Sequence, residues 1–219
     1  MAKAFDLIVF DWDGTLMDST AHIVHAIQAA SRELGLPVPD KNRARHVIGL
    51  GLVDALRYAC PELEPSHYQE MVAAYRHHYL AGDHAIELFD GVREGLAELR
   101  DSGVFLAIAT GKSRVGLDRV LQETGIGEFF DATRTVDECH SKPHPSMLEQ
   151  LTDQLGADVR RTLMVGDTTH DLQMANNAGT LAAGVSYGAH PIEELRACQP
   201  LDIFHSFVEL KQWLSPQLV

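Results

Sequence analysis

Long apolar runs, a cysteine framework and an excess of positive charge are all missing from this chain, and each absence closes off a class of protein. No stretch approaches the roughly 20 apolar residues that a membrane span needs. The first apolar run, Leu7-Ile8-Val9-Phe10, ends at Asp11, too short for a signal peptide. Cys60, Cys139 and Cys198 are far apart, odd in number and without zinc spacing, so reduced thiols and a cytoplasmic location are expected. Lys and Arg number 18 against 31 Asp and Glu, a formal net charge of -13. That field repels polyanions, so nucleic acid and anionic membrane surfaces are poor partners. A small phosphorylated molecule stays possible, because a metal ion and one lysine reverse the local potential. The histidines are scattered, with His77-His78 on an exposed helix face, and read as solvated or capping side chains rather than ligands.

What is present is enough apolar material for a sizeable core. Hydrophobic residues make up 45% of 219, which suits one large domain or a domain with an insert. Short apolar runs predict buried strands at Leu7 to Phe10, Val104 to Ala109, Thr162 to Val165 and Leu181 to Val185. Helical spacing links Val92, Leu96 and Leu99, then Leu117, Val120 and Leu121, then Met147, Leu148, Leu151 and Leu155. Alternating strands and helices imply an α/β fold, a Rossmann-like parallel sheet with helices on both faces. The rhythm breaks between Met17 and Leu88, where only helical stripes occur: Ile23, Ala26, Ile27, Ala30 and Leu34, then Tyr68, Met71, Val72, Tyr75 and Tyr79. An all-helical domain, residues 17–88, is therefore expected as an insertion into a core made of residues 1–16 and 89–219. It would overhang the carboxyl ends of the strands, where open parallel sheets bind ligands, and act as a lid.

Asp11-Trp12-Asp13-Gly14-Thr15-Leu16 follows the first strand directly. One carboxylate is fixed by the strand end, and the glycine turn lets the other swing toward the same point. Such a pair can supply a nucleophile and a general acid/base with a magnesium ion between oxygens. An ordinary turn uses the same residue types. A calcium loop does not fit, because Leu16 stands where its glycine belongs and His22 where its glutamate belongs. Thr110-Gly111-Lys112 follows another strand, and its hydroxyl and amide suit either a phosphate oxygen or a helix cap. Lys142-Pro143-His144-Pro145 offers a point charge on a stiffened loop. Gly166-Asp167-Thr168-Thr169-His170-Asp171 places two acids at a strand end and helix start, for a hard cation or for capping. Asp11, Thr110 and Asp167 all fall at carboxyl ends of predicted strands, which gather at one edge of a parallel sheet.

With those four motifs in that order, nearly the whole chain resembles the haloacid dehalogenase-like hydrolase superfamily. It is similar to the branch with a helical cap after the first strand, which includes phosphoglycolate phosphatases. The resemblance implies that Asp11 attacks phosphorus and that Asp13 protonates the leaving oxygen and later deprotonates water. It implies magnesium held by Asp11, the Asp13 backbone carbonyl and Asp167, with Asp171 in support. Thr110 and Gly111 would bind phosphoryl oxygens, and Lys142 would neutralise charge and serve both binding and catalysis. The expected activity is a phosphatase acting on a small phosphorylated metabolite, with a sugar phosphomutase and a non-catalytic binding protein as alternatives. Specificity is expected from the cap, at Ile48-Gly49-Leu50-Gly51-Leu52, Arg45 and Arg57, with Ser113 and Arg114 as weaker candidates. Trp12 is expected only to pack.

Overall fold

A computed structural model describes residues 3–82 and 86–218. Its centre is a six-stranded parallel sheet in the order β3-β2-β1-β4-β5-β6. The strands are β1 (Leu7–Phe10), β2 (Phe105–Thr110), β3 (Ala132–Thr135), β4 (Thr162–Gly166), β5 (Leu181–Val185) and β6 (Ile203–Phe204). Strand β1 is central, with Phe10 level with Ile108 of β2 and Val165 of β4. The strand order reverses at β1, and open α/β sheets bind ligands at such a switch point.

Both faces of β1 are buried, and the period of two along the strand divides the core. Ile8 and Phe10 pack with α5 (Val92–Asp101), α6 (Arg114–Thr124) and α10 (Phe207–Leu214). Leu7 and Val9 face α7 (Ser146–Leu155), α8 (Thr169–Ala178) and α9 (Ile192–Ala197). Trp12 is completely buried in the first of these layers, as expected of a packing residue.

Strands β3 and β6 were not expected from the sequence. Both lie at sheet edges, and Ala-Thr-Arg-Thr in β3 leaves Thr133 and Arg134 half-buried, so it carries no apolar run. Edge strands shed one row of neighbours and tolerate polar residues, which removes the sequence signal.

Among the described residues, four α-helices lie between β1 and α5: α1 (Thr20–Glu33), α2 (Lys41–His46), α3 (Leu52–Ala59) and α4 (Tyr68–Leu80). They bury their own apolar cluster, including Ile23, Ile27, Ala30, Leu56, Met71 and Tyr79, as an all-helical cap on the sheet. One residue from beyond β5, Ala189, joins that cluster. The two chain crossings into the helical part pair with each other. Met17 bridges Leu88 in antiparallel fashion, Asp18 N donates to Glu87 O at 2.9 Å, and Phe89 N donates to Leu16 O at 3.0 Å. No helix among the described residues is long and apolar enough to cross a membrane.

Phe207 joins α10 to the sheet. It is 1% exposed, its ring centroid lies 6.0 Å from that of Phe10, and it fills the space left by the missing side chain of Gly95. Phe207→Ala is expected to lower the unfolding free energy by about 3–5 kcal/mol. Guanidinium denaturation would read this as a lower midpoint at unchanged slope.

Candidate active site

Asp11 stands one residue beyond β1, its amide held by Val165 O at 2.9 Å and its side chain without solvent exposure. Two other acids from the end of β4 and the start of α8 face it. Asp11, Asp167 and Asp171 each offer a carboxylate oxygen within 4.8 Å of the others, and all three are buried. Lys142, whose side chain is wholly buried, lies between them: Nζ is 2.5 Å from Asp11 Oδ1 and 2.6 Å from Asp171 Oδ1.

The supporting contacts show how tightly each oxygen is assigned. Asp171 Oδ2 accepts from Thr168 Oγ1 at 2.7 Å and from Thr168 N at 3.1 Å, while Thr168 Oγ1 accepts from Asp171 N, a reciprocal cap on α8. Asp167 Oδ1 accepts from Thr15 Oγ1 at 2.8 Å, and its Oδ2 accepts from Ala189 N at 2.7 Å. Gly14, at φ +84, lets the backbone pass so close to Asp167 that a Cβ there would sit 2.2 Å from Oδ2. Asp11 Oδ2, in contrast, is buried with no hydrogen-bond partner among the described residues.

One ammonium does not balance three buried carboxylates. Burial first, then repulsion from Asp171 and Asp167, pushes the Asp11 carboxyl well above the usual carboxylate range, although Lys142 opposes the shift. Burial and Asp171 likewise push Asp167 up to about 7. A hard divalent cation fits this donor set. It would find oxygen donors from three acids and relieve their repulsion. The Asp13 carboxylate does not belong to this group. It turns instead to Ser19 Oγ at 2.7 Å and Lys112 Nζ at 3.1 Å, so only its backbone carbonyl is available for the role the resemblance implies.

The remaining expected residues divide clearly. Thr110 ends β2 beside β1 and is 1% exposed, with its Oγ1 accepting from Lys112 N at 3.2 Å. Gly111 lies directly under the cap: a Cβ there would be 2.5 Å from Leu50 O and 2.6 Å from Gly49 O. The Gly49-Leu50-Gly51 segment thus covers the strand ends, with Gly51 N donating to Ser141 Oγ at 2.9 Å. Arg45 crosses from the cap to the core, donating to Gly188 O at 2.7 Å. Arg57 does not approach the site. It is exposed, 3.7 Å from Asp54 and stacked over Tyr68, because the outer face of α3 points away from the sheet. Ser113 caps α6 through Gly116 N, and Arg114 joins a surface network with Glu138 and Asp118, so neither faces the site.

The histidines depart from the sequence reading. His46, His170 and His190 converge, although more than a hundred residues separate the first from the other two. His170 Nε2 and His190 Nε2 lie 2.8 and 3.1 Å from His46 O, so both core rings bind one cap carbonyl. With Glu194, His46 and His190 offer atoms within 4.8 Å. Their rings are stacked at 6°, however, and in-plane lone pairs on parallel rings do not converge on one ion. Only the fold could bring these residues together. Thr15 and Ser19, which bond to Asp167 and Asp13, were also given no role by the sequence. Thr15 lies within a recognised motif, and position alone could have flagged it.

The sequence profile described as haloacid dehalogenase-like hydrolase matches residues 8–185. The chain belongs to that family. It is 39% identical over 210 residues to a protein named probable phosphatase IndB from Dickeya dadantii, covering 93% of this chain and 91% of that one. It is 32% identical over 205 residues to pyrophosphatase PpaX from Halalkalibacterium halodurans, covering 93% and 94%. A crystal structure described as a predicted phosphoglycolate phosphatase from Haemophilus somnus superposes with a TM-score of 0.83 at 27% identity, over 97% of this chain and 99% of the other. Family and relatives together make this protein an enzyme of the phosphatase kind.

Two outcomes follow from the charge imbalance. Lys142→Met strips the buried carboxylates of their counter-charge and is expected to cost about 3–5 kcal/mol of stability. Magnesium should recover part of that loss, read as a larger magnesium-induced rise in Tm for the variant than for the wild type. Second, a carboxyl held at about 7 must lose its proton to accept a cation. Magnesium titration by calorimetry in buffers of different ionisation enthalpy should therefore show more protons released at pH 6 than at pH 8.

Proposed function

We propose that this enzyme is a magnesium-dependent phosphatase that hydrolyses a small phosphorylated metabolite, of phosphoglycolate type, through an aspartyl-phosphate on Asp11. The observation that carries this reading is the unpartnered Oδ2 of Asp11, buried beside a lysine ammonium at the switch point of the sheet. A carboxylate oxygen free of hydrogen bonds, whose twin is already charge-paired, is available for bond formation to phosphorus. When bound to Asp11, Asp167 and the Asp13 backbone carbonyl, with Asp171 in support, magnesium would offset the charge of the phosphoryl oxygens.

In the first displacement Asp11 Oδ2 attacks phosphorus while Asp13 gives its proton to the departing alcohol oxygen. In the second, Asp13 takes a proton from water as that oxygen bonds to phosphorus and Asp11 is released. Lys142 stays on Asp11 Oδ1 throughout and offsets negative charge on the transferring group. The Thr110 hydroxyl and the Gly111 amide are the donors for phosphoryl oxygens, and the cap segment over Gly111 shields them from bulk water. We assign the moving cap to residues 17–88 and the core to 1–16 and 89–219, with the Met17–Leu88 pairing as the neck.

The test is inorganic phosphate release, with magnesium, from 2-phosphoglycolate, sugar phosphates, nucleotides and pyrophosphate. One substrate should stand well above the rest. Asp11→Asn should lower its turnover by at least about 10³-fold with circular dichroism unchanged. Chelation should stop release and magnesium restore it. Activity that survives in Asp11→Asn removes Asp11 as nucleophile, and activity that survives chelation removes the metal.

A further inference from the structure

Asp13 is held by one oxygen only. Oδ1 accepts from Ser19 Oγ at 2.7 Å and lies 3.1 Å from Lys112 Nζ, while Oδ2 takes no hydrogen bond from the described residues. Lys112 also reaches into the cap. Its Nζ lies 3.1 Å from the Tyr79 hydroxyl and 5.0 Å from the centroid of the Tyr79 ring. The Lys112 and Asp13 side chains are only 12% and 11% exposed, so this pair is largely withdrawn from water. Burial works against the Lys112 charge, but Asp13, Tyr79 and Tyr75 outweigh it and hold the ammonium above its ordinary range. Three distant parts of the chain meet here: the loop after β1, the loop after β2, and the last turn of α4.

We propose that Lys112 and Tyr79 are positioning residues that hold Asp13 by Oδ1, leave Oδ2 to carry the proton, and tie this arrangement to the cap being packed on the core. The inference rests on Asp13 being the acid/base. An ammonium on Oδ1 keeps its contact whether or not Oδ2 is protonated, so the carboxyl need not rotate between the two displacements. In the first, the Oδ2 proton passes to the ester oxygen as the phosphorus–oxygen bond breaks and Asp11 becomes phosphorylated. In the second, Oδ2 recovers a proton from water as the new phosphorus–oxygen bond forms and the Asp11–phosphorus bond breaks. When α4 lifts, Lys112 loses Tyr79 and gains water, and its grip on Asp13 weakens. Asp13 is then correctly placed only while the cap excludes bulk water, which protects the phosphorylated intermediate from premature attack.

The experiment compares two esters in a single turnover. One is the alkyl monoester that the substrate panel shows to be turned over, whose alcohol needs a proton to leave. The other is p-nitrophenyl phosphate, whose leaving group departs without one. Lys112→Met is expected to slow alcohol release by on the order of 10- to 100-fold, but p-nitrophenol release by less than about threefold, with KM nearly unchanged. Lys112→Arg, which can still bond Oδ1, should recover most of the loss. Tyr79→Phe, which keeps the ring and removes the hydroxyl, should show the same selectivity at smaller size. Equal losses on both esters, a rise in KM alone, or no loss would overturn the proposal. Asp13→Asn separates it from its premise. If that variant shows no leaving-group dependence, the acid/base reading falls; if it does and Lys112→Met does not, only the positioning role falls.

Discussion

The buried ammonium of Lys142 is the point on which this site depends. Three carboxylates are drawn into the end of a parallel sheet, where each alone would shed its charge or stay in water. Lys142 bridges two of them, and backbone and hydroxyl donors fix the third. The compensation remains incomplete, since one positive charge faces three acids. That residual negative field suits a divalent cation, and in the proposed reaction such a cation and the lysine would together offset the charge of a phosphoryl group. On the proposed reading, stability and function draw on the same imbalance.

The cap is tied to this centre through backbone contacts as much as through side chains. Gly111 and the carbonyls of Gly49 and Leu50 approach so closely that no Cβ fits between them. Arg45 reaches Gly188, and the carbonyl of His46 takes two core histidines. Gly188 and His190, which take two of these contacts, flank Ala189, whose amide holds Asp167. Cap seating and the acid cluster thus share one loop, which bears on Arg45 and the His46 carbonyl and also holds a carboxylate. Lys112 supplies a second link on the opposite side, from Tyr79 to Asp13.

Much of this was legible in the chain. Strands β1, β4 and β5 are buried on both faces, so they appear as short apolar runs, and the carboxylates that follow β1 and β4 are conspicuous. Thr110 and Asp167 fall beside Asp11 because parallel strand ends share an edge. The edge strands β3 and β6 were not legible, because an edge does not demand a fully apolar sequence. Arg57 shows the converse error. A basic residue in the cap is a reasonable ligand by type, but helix phase decides which way it faces, and its helix turns it to solvent beside Asp54. The three histidines read as solvated or capping for a related reason, since each is unremarkable within its own segment.

The sequence by itself determined the alternation of strands and helices, the helical insertion and the acidic strand ends, because those depend on local periodicity and residue type. Tertiary structure alone decided which oxygen of each carboxylate is occupied, that Lys112 faces Asp13 and Tyr79, and that His46 meets His170 and His190. Those pairings depend on the register between segments far apart in the chain, set by the packing of the cap on the sheet. No local pattern encodes it, because its energy is spread over contacts that exist only once both parts have folded.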